Sequence, residues 1–183
     1  MTLADPIIVV PYDPIWALEF QEIGARMRQS LGDRATRIDH IGSSAIAGLA
    51  AKPVIDIQIS VRALEPVNVY QQPLESLGYV YRAGNGERTK RYFREGTGMR
   101  RTHIHVREEG SFGEQFALLF RDYVRAMPNE ASYYEEAKLR LMELYRDDRE
   151  RYVDEKEPYI WDIMRRASSW SQETGWRPGI SDM

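Results

Sequence analysis

Apolar positions recur along the chain in two periods, and these set the expected elements. Trp16, Phe20, Ile23, Met27 and Leu31 fall three or four residues apart, the spacing that lines one face of a helix. Asp13-Pro14 suits the start of that helix. The aspartate can accept from a free amide, and proline lacks the N–H that would have no partner there. Gly32 suits its end. Residues 36–41 read as a short strand, broken by Gly42-Ser43-Ser44. Residues 53–61 alternate strictly: Ile55, Ile57, Ile59 and Val61 share one face, and Val54, Asp56, Gln58 and Ser60 share the other.

A helix is expected over 66–77, weakened by Pro73 and closed by Gly78. Residues 79–83 and 89–95 flank Gly84-Asn85-Gly86, a hairpin signal because these residues tolerate positive φ. Residues 101–107 alternate again and put His103 and His105 on one face. Ser111 with Glu114 forms a capping-box pattern ahead of a helix to about Met127. Asn129 suits the cap of a further helix to about Tyr145, and a last helical stretch spans 148–167, disturbed at Pro158. The fold class is therefore α+β: a mixed β-sheet of about five strands with flanking helices and a C-terminal helical extension. One domain is expected over 1–170, with a flexible tail over 171–183.

Bulk composition narrows the classes. The chain has 183 residues, 43% apolar and 29% charged, enough for one domain with a sizeable core. A net charge of -3 gives no strong nucleic-acid signal, because neutralising phosphates takes concentrated Lys and Arg. With no cysteine, thiolate nucleophiles, disulfides and cysteine zinc sites are excluded. Residues 1–8 lack a leader pattern and no apolar run is long enough to span a bilayer, so a cytoplasmic chain with no membrane partner is expected.

Chemistry concentrates at His40-Ile41-Gly42-Ser43-Ser44 and at Asp56. A Gly-Ser turn leaving a strand can hold phosphate oxygens, and a carboxylate on the next strand can hold a divalent cation against them. The plainer alternatives are an ordinary turn and a structural ion pair between Asp56 and Lys52 or an arginine. The three histidines, His40, His103 and His105, all lie on expected strands. With Asp56 they could form a cluster for zinc, manganese or iron. His103 could instead serve as a base or phosphate ligand, or the pair could form a polar pocket wall. Among basic residues near these strings (Lys52, Lys90, Arg91, Arg94, Arg121 and Lys156), Arg91 and Lys156 are the preferred anion ligands. Trp16, Phe20, Phe116 and Tyr123 read as core, and 146–157 reads as a solvated helical face.

Several strings resemble the GrpB family: Tyr12-Asp13-Pro14, then 39–45, then 48–57, then Gly78-Tyr79, Arg91-Tyr92-Phe93, 103–106, 120–123 and 156–160. The resemblance covers nearly the whole chain. It implies a nucleotidyltransferase-like fold, with a Gly-Ser turn and a strand bearing two acids one residue apart, plus a third acid on another strand. It also implies a link to coenzyme A metabolism, through relatives fused to dephospho-coenzyme A kinase. On this pattern Gly42, Ser43, Ser44, Lys52, Arg91 and Lys156 would hold a nucleotide or other phosphorylated small molecule. From the residues themselves, Asp56, His103 and His105 are the candidate catalytic groups, and a metal (Mg, Mn or Zn) would sit on Asp56 with His40, His103 and His105. The chain departs from the pattern at the second acid, which is Gln58, and at the third, where the strand offers histidines. Three readings stay open: a nucleotidyl or phosphoryl transferase of unknown acceptor, a non-catalytic nucleotide or coenzyme A binding module, and a His/Asp transition-metal enzyme.

Overall fold

The computed structural model describes residues 6–183. The reading of residues 1–8 as free of a leader falls mostly on 1–5, outside the described residues. The described elements run α1 (Ile15–Leu31), β1 (Arg37–Ile41), β2 (Ile55–Val61), α2 (Asn68–Ser76), β3 (Val80–Tyr81), β4 (Lys90–Arg94), β5 (Thr102–Glu108), α3 (Phe112–Ala126), α4 (Pro128–Tyr145) and α5 (Arg149–Thr174). The five strands form one sheet in the order β1-β2-β5-β4-β3. The β2–β5 pair is parallel and the other pairs are antiparallel, so the sheet is mixed, as expected. No helix among the described residues is long and apolar enough to cross a membrane.

The two faces of the sheet differ in chemistry. One carries Ile38, Ile55, Ile57, Ile59, Phe93, Ile104 and Val106, packed with Trp16, Phe20, Ile23, Met27 and Leu31 of α1 and Tyr70 and Leu74 of α2. Each such side chain contributes about 1.5–3 kcal/mol on burial. The other face carries Asp56, Gln58 and Ser60 of β2 beside His103, His105 and Arg107 of β5, all in direct register. Helices α3, α4 and α5 stand over that face and hold a second apolar cluster, which includes Phe120, Tyr123, Val124, Tyr134, Ile163 and Met164. These three helices are the expected C-terminal extension.

Local signals account for most boundaries. Asp13 Oδ1 accepts from Ile15 N at 3.0 Å, and Ser111 caps α3 by accepting from Glu114 N. The Glu114 carboxylate does not close a capping box. It turns inward, accepts from Gly110 N at 2.6 Å and meets the Ser60 hydroxyl. Helix α4 starts at Pro128, without a side-chain cap from Asn129. Pro158 does not end α5. It lies on the exposed side of the helix, where water can serve the carbonyl left without an amide partner.

Where the sequence suggests a flexible tail from 171, α5 instead continues to Thr174, and the following residues lie along edge strand β1. Ser181 Oγ accepts from Ile38 N at 2.8 Å, Asp182 Oδ2 accepts from His40 N at 2.9 Å, and Met183 N donates to Ile38 O at 3.1 Å. These contacts satisfy an edge that would otherwise be open. Replacing the central, fully buried Ile57 tests the apolar face. Ile57→Ala is expected to cost about 2–5 kcal/mol in a urea titration, because the neighbouring strands cannot close the gap.

Candidate functional site

The polar face of β2 and β5 forms one wall of a cavity of about 450 Å³. Gly42, Ser43 and Ser44 border it at the end of β1, and α3, α4 and α5 supply the opposite side. The close approach of the turn to Asp56 requires glycine. Gly42 has φ 70° and ψ -172°, a region that side chains disfavour, and a Cβ there would lie 3.0 Å from Asp56 Oδ2. Arg125 of α3 holds the turn from behind, donating to the Ala45 carbonyl from Nε at 3.0 Å and from Nη2 at 2.7 Å.

Asp56 sits at the centre of this wall. Its Oδ1 lies 3.2 Å from His103 Nδ1 and 3.6 Å from His105 Nε2. The three side chains bring one ligand atom each to within 4.8 Å of one another. Burial raises the Asp56 carboxyl, but hydrogen bonds and attraction from His103 and His105 outweigh it and hold the group below the usual carboxylate range. Burial lowers His105, against the pull of Asp56. The second nitrogen of His103, Nε2, is buried without a partner. Tyr92, opposite His105 on β4, packs on both imidazoles, with centroids at 5.8 Å from His103 and 5.3 Å from His105.

Cations dominate the remainder of the lining. Lys52, Arg101, Lys138, Arg149 and Lys156 border the cavity, against Asp56 as the one acid among the described residues that line it. Lys138 is 3% exposed; it donates to the Ala50 carbonyl and stands 4.7 Å from the Tyr134 ring centroid. Lys52 and Lys156 stand 4.5 Å and 5.5 Å from the Tyr152 ring centroid. Burial, with Lys156, Arg149 and Arg101 nearby, pushes Lys52 down to about 8. Burial and Lys156 push Lys138 down to about 7. Aromatic faces soften this crowding of like charge without neutralising it.

The structure thus brings together Gly42, Ser43, Ser44, Lys52, Asp56, His103, His105 and Lys156. It does not bring in His40 or Arg91. His40 pairs with Ile57 in register and so faces the apolar layer. There it stacks on Phe20 at 4.7 Å, with Nε2 3.1 Å from Ser44 Oγ, and burial lowers it to about 4. It cannot reach the Asp56 cluster as a ligand. Arg91 pairs with Val106, also on the apolar side, and binds Glu65 at 2.6 Å. Of the other basic residues considered, Lys90 pairs with Glu87, Arg94 with Glu95, and Arg121 with Asp122 and Asp182. Sequence reading missed Arg101, Tyr134, Lys138, Arg149 and Tyr152. A signal was present: Arg149, Tyr152, Lys156 and Ile160 recur at helical spacing, so one face of the stretch read as solvated lines the cavity instead.

Gln58, at the expected second acid, does not face the cavity as a metal ligand. It is fully buried, and its amide donates to the Glu114 carbonyl of α3 at 3.2 Å. The carboxylate set of a two-magnesium centre is therefore absent from this strand, and imidazoles stand near the one carboxylate that is present.

Comparison with known proteins matches this architecture. The family model described as GrpB protein matches residues 6–166. A dephospho-CoA kinase of Mycolicibacterium paratuberculosis is 35% identical over 198 residues, covering 94% of this chain and 49% of that protein. This chain spans about half the length of that relative and of several others. The crystal structure of conserved protein GrpB from Enterococcus faecalis superposes with a TM-score of 0.80 at 32% identity, covering 89% of this chain and 99% of that one. The Cid1 poly(U) polymerase bound to MgATP shares the fold alone, with a TM-score of 0.50 at 9% identity over 72% of this chain and 45% of that one.

A substitution at the turn tests how tightly this wall is built. Gly42→Ala is expected to lower stability by about 1–3 kcal/mol in urea, from its disfavoured backbone angles. It should also shift the proton resonances of His103 and His105, because the added methyl presses on Asp56.

Proposed function

The chain belongs to the GrpB family, and on that premise we propose that its cavity binds a nucleotide or another phosphorylated small molecule. The observation that carries this reading is the charge imbalance of the lining, among the described residues five cationic side chains against one carboxylate, around an aromatic interior. Lysines held below their ordinary value in a buried cluster favour an anion that restores their charge. Phe116, Phe120, Tyr134 and Tyr152 offer apolar area for a base or pantetheine arm. The volume suits a ligand of this size. Coenzyme A or a precursor fits the same chemistry, and some relatives carry the name dephospho-CoA kinase.

Transfer of a nucleotidyl or phosphoryl group is the reaction the fold supports by analogy. Gln58 favours the narrower reading of a binding module that does not use a two-magnesium centre, since an amide held by α3 supplies no charge to a second ion.

Calorimetric titration with ATP, CTP and coenzyme A, with and without Mg²⁺, tests the reading. At least one of these ligands is expected to bind without Mg²⁺, and Lys52→Gln and Lys156→Gln should each weaken it by about tenfold or more. Absence of binding by all three at millimolar concentration would remove the proposal. If binding requires Mg²⁺ and Asp56→Ala abolishes that Mg²⁺-dependent binding, the transferase reading displaces the binding module.

The pH dependence has a definite sign. Between their lowered values of about 7 and 8 and the ordinary 10.5, Lys138 and Lys52 carry fewer protons folded than unfolded. The ligand-free protein should therefore gain stability as pH rises through that window. Ligand affinity should run the other way, tightening by about tenfold from about pH 8.5 to about pH 6.5, with proton uptake visible in buffers of different ionisation enthalpy.

A further inference from the structure

We propose that Asp56, His103 and His105 form a mononuclear site for a divalent transition-metal ion, with zinc as the best-matched ion, and not a magnesium site. The inference goes beyond the anion pocket and does not depend on it.

The donor set comes first. Magnesium takes nearly ideal octahedral oxygen coordination and keeps several waters, so it selects carboxylates and phosphates. Two imidazoles and one carboxylate are instead the donors that zinc, iron and manganese sites use. The nucleotidyltransferase-like fold implies magnesium on paired acids, and this chain does not supply them, because Gln58 is fully buried with its amide bonded to α3.

Spacing points the same way. Ligands about 2.0–2.1 Å from a tetrahedral ion lie about 3.3 Å from one another. Asp56 Oδ1 stands 3.2 Å from His103 Nδ1 and 3.6 Å from His105 Nε2. All three ligand atoms lie within 4.8 Å of one another, so small side-chain movements close the set. Asp56 and His103 are direct register partners on the central parallel pair, and His105 follows two residues on, so rigid strands position every donor. All three side chains border the cavity, which leaves the remaining coordination positions to water or to an oxygen of a bound molecule.

Among the described residues, Asp56 is the one acid of a lining with five cations. A dication on this triad therefore meets repulsion that a co-bound anion relieves, and the two are expected to bind together more tightly than either alone.

The test is direct. The protein is purified without chelators, its metal content is measured by plasma mass spectrometry, and the stripped protein is titrated with Co²⁺ as a spectroscopic probe. About one equivalent of zinc or cobalt should bind, with visible absorption bands of a four- or five-coordinate ion, and Mg²⁺ should not compete at millimolar concentration. His103→Gln and His105→Gln should each weaken Co²⁺ binding by about tenfold or more. Their urea unfolding curves separate loss of a ligand from loss of the fold. Inorganic phosphate should tighten Co²⁺ binding in the wild-type protein. A stripped protein that shows no cobalt bands, or folded histidine variants that bind cobalt as the wild type does, would overturn the proposal. So would Mg²⁺ displacing cobalt at comparable concentration. ATP titration of the same stripped protein keeps the two readings apart. Nucleotide binding without cobalt bands sinks the metal site and leaves the pocket standing, whereas cobalt bands without binding of ATP, CTP or coenzyme A do the reverse.

Discussion

Strand β2 is covered on both faces, yet only one face is apolar, and most of the molecule follows from that mismatch. Ile55, Ile57, Ile59 and Val61 are satisfied by helices α1 and α2 through area alone. Asp56, Gln58 and Ser60 are not, because each polar group taken from water needs a partner. Glu114 of α3 meets the Ser60 hydroxyl, and its backbone carbonyl accepts from the Gln58 amide. The Gln58 Oε1 stays buried without a partner; Asp56 is partnered by the two histidines of β5 and faces α3, α4 and α5 across the cavity. The cavity exists where α3, α4 and α5 stand off from the polar face.

This constraint sets what the sequence revealed. The alternation over β5 put His103 and His105 on one face and that over β2 set Asp56 opposite the isoleucines, since side chains two apart share a face; the register of the two strands brings the three together. Parity within a strand does not fix parity between strands. His40 lies one residue from both Asp39 and Ile41, and only the register that pairs it with Ile57 sends it to the apolar layer. Arg91 fails for the same reason, through its pairing with Val106. A one-residue change of register would have exchanged the faces of either strand. The GrpB-like strings marked Arg91 without saying which way it faces.

The helical side of the site was harder to see for a different reason. Lys138 and Arg149 lie far in sequence from β2 and β5, and nothing local says that α4 and α5 close over the sheet. Charged residues on a long helix ordinarily face water. The same holds for residues 176–183, whose glycine, proline and serine content suggests an irregular segment but cannot say that β1 has an edge to cover. Long-range packing decides both cases, and single-sequence periodicity carries little of it.

Charge at the site is arranged in two zones. Near the sheet, one carboxylate and two imidazoles hold a donor set in place. Toward α4 and α5, lysines rest against Tyr134 and Tyr152, with Glu135 near Lys138 offsetting part of the charge. Such an arrangement is costly for stability alone, because buried like charges repel and lose hydration. Lys138 is 3% exposed and its ammonium serves the buried Ala50 carbonyl, so part of that cost is offset by the hydrogen bond. On the proposed reading, an anion bound in the cavity would offset that cost. The lysine cluster and the triad border the same cavity, and Gln58, with its amide bonded to α3, adds no charge to it.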